Sequence, residues 1–219
     1  MKKKILTILG DFYHSHDLAY TAMEKAVADL QQKAGADIEL IDSSVENLGE
    51  ILKQKYDLVV LYKENRVNPT DEVVYNWMTS QLEQQITRYV KDGGSLLAWH
   101  SGLVSYESHE QFTEMLRGYF EYHPSERQVK YTGVGSNTGI MPKEPFEVLD
   151  EHYMIKAIPV ENSVFLTSES TEGKVEAGWA HEYGNGRVCC LTPTHRAEGM
   201  TNEVMLDLLG QCVTWCLKL

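Results

Sequence analysis

Histidines follow several predicted strands of this sequence, where an apolar run gives way to a polar loop. His14 and His16 come after the first run, His100 comes directly after the fourth, and His195 follows the strand-like run Arg187–Leu191. Imidazole titrates near neutrality, with an unperturbed pKa of about 6.5, so such rings can move protons or bind a metal ion. We therefore expect these rings to share one site.

The spacing of two of these groups adds detail. His14 and His16 are two residues apart, so in an extended loop both rings project the same way and face one ligand; a pair of solvated loop histidines is the alternative. The segment Trp99–Gly102 resembles a sharp strand-to-helix turn that lifts one side chain to the edge of a sheet. His100 or Ser101 would then act as a base, ligand or hydrogen-bond donor, whereas the alternative is a core histidine with a capping serine.

The second half of the chain offers further candidates. His123 precedes a rigid proline, Glu151 supplies a carboxylate and Tyr153 a phenol, while His195 also fits a simple surface turn. Three imidazoles and a carboxylate can shuttle protons on a polar substrate. The same set can bind Zn²⁺, since three protein ligands and a water form an open catalytic site. Because no local metal-binding motif such as H-E-x-x-H is present, we rank a metal behind acid–base chemistry, and the sequence assigns no cofactor with certainty.

Alternating strands and helices must position these residues. Each predicted strand of the first half is followed by a helical pattern, the longest running from Thr70 or Asp71 to Gly93. This alternation predicts a parallel sheet with right-handed crossovers, which binds ligands beyond the carboxyl ends of its strands. The predicted strands of this half are Lys4–Gly10, Asp37–Ile41, Leu58–Tyr62 and Ser95–Trp99, with further helices beginning at Asp17 and covering Val45–Lys55.

The second half reads differently. Residues 119–160 form a long irregular stretch with short extended segments, and an Asn-Gly turn joins two later strands. Thr201 or Asn202 is expected to cap a terminal helix. The predicted segments are a helix at His109–Arg117 and strands at Gln128–Thr132, Phe146–Leu149, Ser163–Thr167, Ala177–Tyr183 and Arg187–Leu191.

Length and composition limit the function classes. The 219 residues suit a single domain, 1–219, and the net charge of −12 argues against nucleic acid or an anionic membrane as a partner. No apolar run approaches the roughly 20 residues that span a bilayer, so we expect a cytoplasmic protein. The four cysteines lack C-x-x-C spacing and are expected to be reduced core residues; a homo-oligomer is compatible with the composition but not required by it.

A family resemblance rests on several blocks that occur in order along the chain. The blocks are Gly94–Gly102, Phe120–Pro124, Phe146–Tyr153, Gly178–Val188, Pro193–His195 and the helix that contains Trp215. With these blocks the sequence resembles the ThuA-like (trehalose utilisation) family, within the class I glutamine amidotransferase-like fold.

The resemblance implies an α/β fold, a flavodoxin-like three-layer sandwich with a mostly parallel central sheet. True amidotransferases have a cysteine at the turn after the fourth strand, but here that position matches His100, and His195 lacks the following glutamate of their triad. Glutamine hydrolysis is therefore not expected. The family pattern D-E-x-Y matches Asp150–Tyr153, which implies roles for Glu151 and Tyr153.

Two hypotheses follow for the function. In the first, an isomerase, lyase or hydrolase acts on a small carbohydrate, trehalose or a keto-sugar derivative, with or without a metal. Glu151 and His195 would move protons and His100 would be the central base or ligand. The hydroxyls of the sugar would contact His14, His16, Ser101, His123 and Tyr153. In the second, a non-catalytic protein of the same fold binds a sugar or metal; a serine hydrolase using Ser101 is a weaker third option, since the G-x-S-x-G frame is absent.

Overall fold

The computed structural model describes residues 2–219, in which strands and α-helices alternate over the first half of the chain. The strands are β1 (Lys3–Leu9), β2 (Ile38–Ser43), β3 (Leu58–Tyr62), β4 (Ser95–Trp99), β5 (Gly118–Tyr122), β6 (Arg127–Gly133), β7 (Phe146–Asp150), β8 (Met154–Ala157), β9 (Val164–Ser170), β10 (Gly173–Tyr183) and β11 (Gly186–Leu191). The α-helices are α1 (His16–Ala34), α2 (Leu48–Ile51), α3 (Ser80–Lys91), α4 (Glu110–Leu116), α5 (Ala197–Met200) and α6 (Glu203–Leu217).

A nine-stranded sheet forms the centre of the fold, in the order β2-β1-β3-β4-β11-β10-β9-β6-β7. The first five strands of this order pair in parallel and the remaining pairs are antiparallel. The last strand in sequence, β11, lies beside β4, so the two halves of the chain meet in mid-sheet. The predicted α/β fold with a flavodoxin-like central sheet is confirmed.

Helices cover both faces of the sheet because the strand residues alternate between two cores. Ile5 and Leu97 face a core that also contains residues of α1 and α6, whereas their neighbours Leu6 and Leu96 face a core with α3 and α4. Strands covered on both faces must be apolar throughout, and the five residues of β3 and of β4 are all buried.

The ends of the helices follow local side-chain chemistry. Helix α1 was predicted to begin at Asp17 but begins at His16, and Ser15 caps it by accepting the backbone N–H of Leu18. Gly35 ends the helix in the left-handed conformation that glycine adopts without strain. The side chain of Asn202 accepts the N–H groups of Val204 and Met205, which settles the choice between Thr201 and Asn202.

The long helix predicted from residue 70 to residue 93 is wrong in its first half. Thr79 caps α3, and residues 63–79 form an irregular excursion whose tip exposes Val73, Val74 and Tyr75. The side chain of Asn68 accepts the N–H of Tyr75 at 2.7 Å and donates to the carbonyl of Val73 at 2.8 Å. These side-chain bonds to the backbone replace the helical ones, as short polar residues commonly do.

Other departures from the sequence prediction are smaller. The helix predicted over Val45–Lys55 is a single 3₁₀ turn, Val45–Asn47, followed by the short α2. The irregular stretch contains β6 and β7, which extend the main sheet, and also β5 and β8, which pair as a separate ribbon. The predicted Asn-Gly turn joins β10 to β11 with Tyr183 opposite Gly186.

No helix among the described residues is both long enough and apolar enough to cross a bilayer. The four cysteines are buried and unpaired, as expected for core residues.

Candidate functional site

The carboxyl ends of four strands meet at one edge of the sheet and bring distant polar residues together. β1 leads into the loop that carries His14, β4 into His100, and β11 into His195. β7, two antiparallel steps beyond β9, runs in the same direction and ends just before Glu151. This is the edge at which ligands bind in open α/β sheets.

His100 occupies the sharp turn after β4. Its φ of 47° lies in the left-handed region, which is sparsely populated by residues other than glycine, and its side chain is fully buried. Two residues later, a side chain at Gly102 would place its Cβ 2.1 Å from the carbonyl oxygen of Leu61, so only glycine lets the turn pack against β3. Strain of this kind is characteristic of functional turns.

Four side chains converge on one point. His14, His100, Glu151 and His195 each contribute one nitrogen or oxygen atom, and these four atoms all lie within 4.8 Å of one another. Oε2 of Glu151 is 3.6 Å from Nε2 of His100 and 3.4 Å from Nδ1 of His195. His14 and His100 are buried, while Glu151 and His195 are partly exposed, so the group is open on one side. We call these four residues the His3Glu cluster.

Hydrogen bonds on the far side of two rings decide which atoms face the centre. Nδ1 of His100 lies 2.5 Å from the carbonyl oxygen of Thr192, which only accepts, so Nδ1 carries the proton and Nε2 of the neutral ring presents a lone pair. Nδ1 of His14 likewise donates to Oδ1 of Asp11 at 2.6 Å. The cluster therefore places acceptor atoms opposite one another, an arrangement that a cation stabilises.

The pKa values agree with this assignment. Burial lowers the pKa of His100 to about 4, although contact with Glu151 opposes the shift, so the ring is neutral at pH 7. Burial alone would raise the pKa of Glu151, but His100, His195 and His123 around it lower the value to about 2. Burial also lowers the pKa of His195. At neutral pH the cluster thus contains an ionised carboxylate beside a neutral His100.

Tyr153 and His123 border the cluster. The ring of Tyr153 stacks on His100 with centroids 4.1 Å apart, and its hydroxyl is 3.5 Å from Nε2 of His14. Nε2 of His123 lies 3.7 Å from Oε1 of Glu151, whereas His100 contacts the other carboxylate oxygen, Oε2. The side chain of His123 is 37% exposed, which makes it the ring nearest to solvent at this site.

Two other predicted residues have different surroundings. Ser101 is buried behind the turn, and its Oγ has no hydrogen-bond partner among residues 2–219. His16 begins α1, and its ring contacts Asp17 and Asp42 at 3.0 Å instead of the cluster. The expected common orientation of His14 and His16 is therefore not seen, because the chain turns into the helix between them.

The remaining histidines have structural partners away from the cluster. His109 contacts the buried carboxylate of Glu83 at 3.4 Å, and His152 lies between the hydroxyls of Ser168 and Ser170. Nε2 of His181 donates to the carbonyl of Met115. Residue type alone does not separate these rings from those of the cluster.

Two buried aspartates that we did not predict as site residues support the cluster. Asp11 accepts Nδ1–H of His14 and the N–H of Glu64. Burial would raise its pKa, but these donors lower it to about 2, so it is ionised. Asp150 accepts the backbone N–H groups of Glu151 and His195 at 2.9 and 2.8 Å. Asp11 follows β1 and Asp150 ends β7, and this position at a strand end is a signal that the sequence contains. The groups that donate to the two carboxylates could not be identified from the sequence.

The donor set fits a divalent cation. Nε2 of His100 and Nδ1 of His195 are buried without a hydrogen-bond partner among the described residues. Three imidazoles and one carboxylate are ligands that Zn²⁺ and related ions prefer, and the Asp11–His14 pair is the outer-shell arrangement that orients a metal-binding histidine.

The comparisons with known proteins agree with this architecture. The family model ThuA, described as trehalose utilisation, matches residues 4–216. The chain belongs to the ThuA family. Solved structures similar to this ThuA family member include ThuA-like proteins from Parabacteroides merdae ATCC 43184 (14% identity, 99% of this chain and 90% of that chain, TM-score 0.72) and Bacteroides uniformis ATCC 8492 (16%, 99% and 91%, 0.65).

A cytoplasmic protein from Salmonella typhimurium LT2 is also similar to this ThuA family member, with 17% identity, 99% of this chain and 97% of that chain covered, and a TM-score of 0.59. At these identities the likeness is one of fold. No curated protein matches the sequence.

Proposed function

We propose that this ThuA family member is an enzyme of carbohydrate metabolism that acts on trehalose or a keto-sugar derivative at the His3Glu cluster with the help of a divalent cation. Membership of the family supports a role related to trehalose utilisation. The observation that carries the finer proposal is the set of four converging ligand atoms, which lie within 4.8 Å of one another. Because the carbonyl of Thr192 accepts the Nδ1 proton of His100, the Nε2 atom of that ring is free to donate its lone pair to a cation.

The cation would be held by His14, His100, Glu151 and His195. When bound, such an ion polarises a carbonyl or hydroxyl oxygen and lowers the pKa of a water molecule. From the sequence we ranked a metal ion behind acid–base chemistry, and we now propose the reverse order. Because burial lowers the pKa of His100 to about 4, a proton is less suited than a cation to bind between these side chains at neutral pH.

The protein's own residues would bind the sugar and move its protons. His123 lies at the solvent side of Glu151, where its partly exposed ring can exchange a proton with a substrate hydroxyl. Tyr153 packs against His100 and fixes the ring plane. Since the strained turn carries His100 and no cysteine, glutamine hydrolysis through a cysteine nucleophile is not part of this proposal.

A binding protein without catalysis is the second candidate. The observation that favours it is the burial of His14 and His100, which leaves only Glu151, His195 and His123 accessible to a substrate. Such a protein would bind the cation and a sugar but would not convert the sugar into a product.

The test begins with the metal content of the purified chain, measured by elemental analysis before and after chelator treatment. Reloaded protein is then incubated with trehalose and 3-keto-trehalose, and products are followed by NMR. We expect stoichiometric metal and turnover that chelation abolishes, and we expect His100→Ala to lose both. His16→Ala is the matched control, since His16 bonds Asp17 and Asp42 outside the cluster.

Stoichiometric metal without turnover of either sugar supports the binding protein. A metal content that is substoichiometric and unchanged by His100→Ala, with sugar turnover retained, contradicts the cation and leaves acid–base chemistry.

A further inference from the structure

A second polar cavity lies near the amino end of β11, at the edge of the sheet opposite to the His3Glu cluster. Its volume is about 380 Å³. It is enclosed by a loop after β6, the start of β9, the hairpin of β10 and β11, and the end of α6. The residues used below are Asn137, Ser163, His181, Glu182, Arg187 and Trp215.

Three side-chain atoms of residues that line this cavity have no hydrogen-bond partner among the described residues. They are Oγ of Ser163, a residue that is 1% exposed, Nε of Arg187 and Nδ1 of His181. Because Nε2 of His181 donates to the carbonyl of Met115, its Nδ1 is an acceptor, which a ligand hydroxyl can satisfy. Buried polar groups in folded proteins are almost always hydrogen-bonded, so unpartnered groups that line one cavity indicate a place where a ligand supplies the partner.

The guanidinium group of Arg187 is fixed in place. Its Nη1 donates to the carbonyl of Trp215 at 2.6 Å, and its central carbon lies 4.8 Å from the centroid of the Trp215 ring. This leaves the Nε–Nη2 edge, the planar fork that matches two oxygens of a carboxylate or phosphate. A fixed guanidinium loses little conformational freedom when a ligand binds.

Only Glu182 competes for this edge among the described residues. Its Oε1 is 3.7 Å from Nη2 of Arg187, beyond hydrogen-bonding distance, and its side chain is 76% exposed. An exposed carboxylate at this distance interacts weakly with its partner and can move into solvent. The fork is therefore available to a smaller anion that enters the cavity.

We propose that this cavity binds a small oxyanion, a carboxylate or phosphate group, between the Nε–Nη2 edge of Arg187 and the hydroxyl of Ser163. The amide of Asn137 lies at the exposed rim, where it can contact the rest of a larger ligand. The net charge of −12 disfavours unspecific anion binding to this chain, so a saturable anion site requires a built recognition geometry. The proposal does not depend on the function of the His3Glu cluster.

The test uses the full chain after chelator dialysis, so that no metal at the His3Glu cluster binds the probe. Inorganic phosphate and acetate are titrated separately by calorimetry, which distinguishes the two anion classes. We expect saturable 1:1 binding of at least one of them. Arg187→Lys keeps the charge but removes the fork, and we expect roughly a tenfold loss of affinity. Glu182→Gln removes the competing carboxylate and should strengthen binding.

Ser163→Ala is the second variant, since it leaves the Arg187–Trp215 contact intact; we expect its affinity to fall several-fold. Thermal unfolding confirms that each variant is folded. Binding that is unsaturable, or equal in the wild type, Arg187→Lys and Ser163→Ala, overturns the proposal. Binding that His195→Ala abolishes while Arg187→Lys retains it also overturns the proposal, because it places the anion at the other site.

Discussion

The carboxyl group of Asp150 accepts the backbone N–H of His195 at 2.8 Å, although 45 positions separate the two residues in sequence. The same oxygen accepts the N–H of Glu151 at 2.9 Å, and the other oxygen accepts the hydroxyl of Tyr131 at 2.7 Å. One buried side chain thus fixes the backbone of two members of the His3Glu cluster, and burial raises its pKa to about 7 in spite of these donors.

Asp150→Ala is expected to lower the affinity for Zn²⁺ by about 10- to 100-fold, the usual effect of removing support behind metal ligands. Asp150→Asn should recover part of the loss, because its carbonyl oxygen can still accept from Glu151 and His195. Affinity is measured by competition with a chromogenic chelator, and thermal unfolding is measured in parallel. A lower melting temperature with unchanged affinity in both variants contradicts the positioning role.

Asp11→Asn should weaken Zn²⁺ binding by about tenfold, because the ionised acceptor that orients His14 is lost. Asp42→Asn is the matched control: Asp42 contacts His16 at 3.0 Å in the same way, but His16 lies outside the cluster. The same chelator competition applies to both. Equal losses in the two variants are the result that contradicts a specific role for Asp11.

In the metal-free protein, burial of neutral His100 should lower the stability progressively as the pH falls from 6.5 towards 4. The pKa of His100 is about 4 in the folded protein, below the ordinary value of 6.5, so the unfolded chain binds a proton first and acid favours unfolding. Asp150, with its pKa raised from 3.8 to about 7, acts in the opposite direction over the same range. Urea unfolding of the wild type and His100→Gln at several pH values isolates the His100 contribution, since both keep Asp150. A parallel decline in the two proteins is the contrary outcome.

Gly102→Ala should destabilise the fold by about 1–3 kcal/mol, the usual cost of overpacking. The new Cβ would lie 2.1 Å from the carbonyl oxygen of Leu61, so the turn that carries His100 has to move away from β3. Gly135→Ala is the control, because nothing lies within 4 Å of its Cβ position. The free energy of unfolding in urea measures both, and a similar change in the two variants argues against the close approach.

The central strands were predicted well because a strand that is buried on both faces consists of a continuous run of apolar residues. β3 and β4 have the predicted bounds, and the parallel arrangement followed from their alternation with helices. The excursion before α3 was missed because Val74, Trp77 and Met78 have helical spacing, while the competing bonds of Asn68 depend on tertiary structure. Helical spacing of apolar residues predicts a helix reliably only where no side chain competes for the hydrogen bonds of the backbone.

The candidate site was predicted in part. His14, His100 and His195 were expected to meet because each follows a predicted strand, and Glu151 was expected with them from the family pattern D-E-x-Y. The structure brings the four residues together. His16 was expected with them, but it begins a helix and faces Asp42. Asp11 and Asp150 were not expected as site residues. Asp150 fixes the backbone of His195 across 45 positions, and such a pairing leaves no local sequence pattern. Asp11 lies only three residues from His14, but its contact with that ring depends on how the loop folds.

The place of β11 between β4 and β10 has a consequence for synthesis on the ribosome. Until β11 has been synthesised, β4 is an edge strand, and the N–H and C=O groups on its free edge can pair with other chains. β4 can gain its second neighbour only after residues 186–191 have been synthesised, and His195, which completes the His3Glu cluster, follows four residues later. A chain that stops before residue 186 would therefore expose an unpaired strand edge prone to aggregation and would lack one of the four converging side chains.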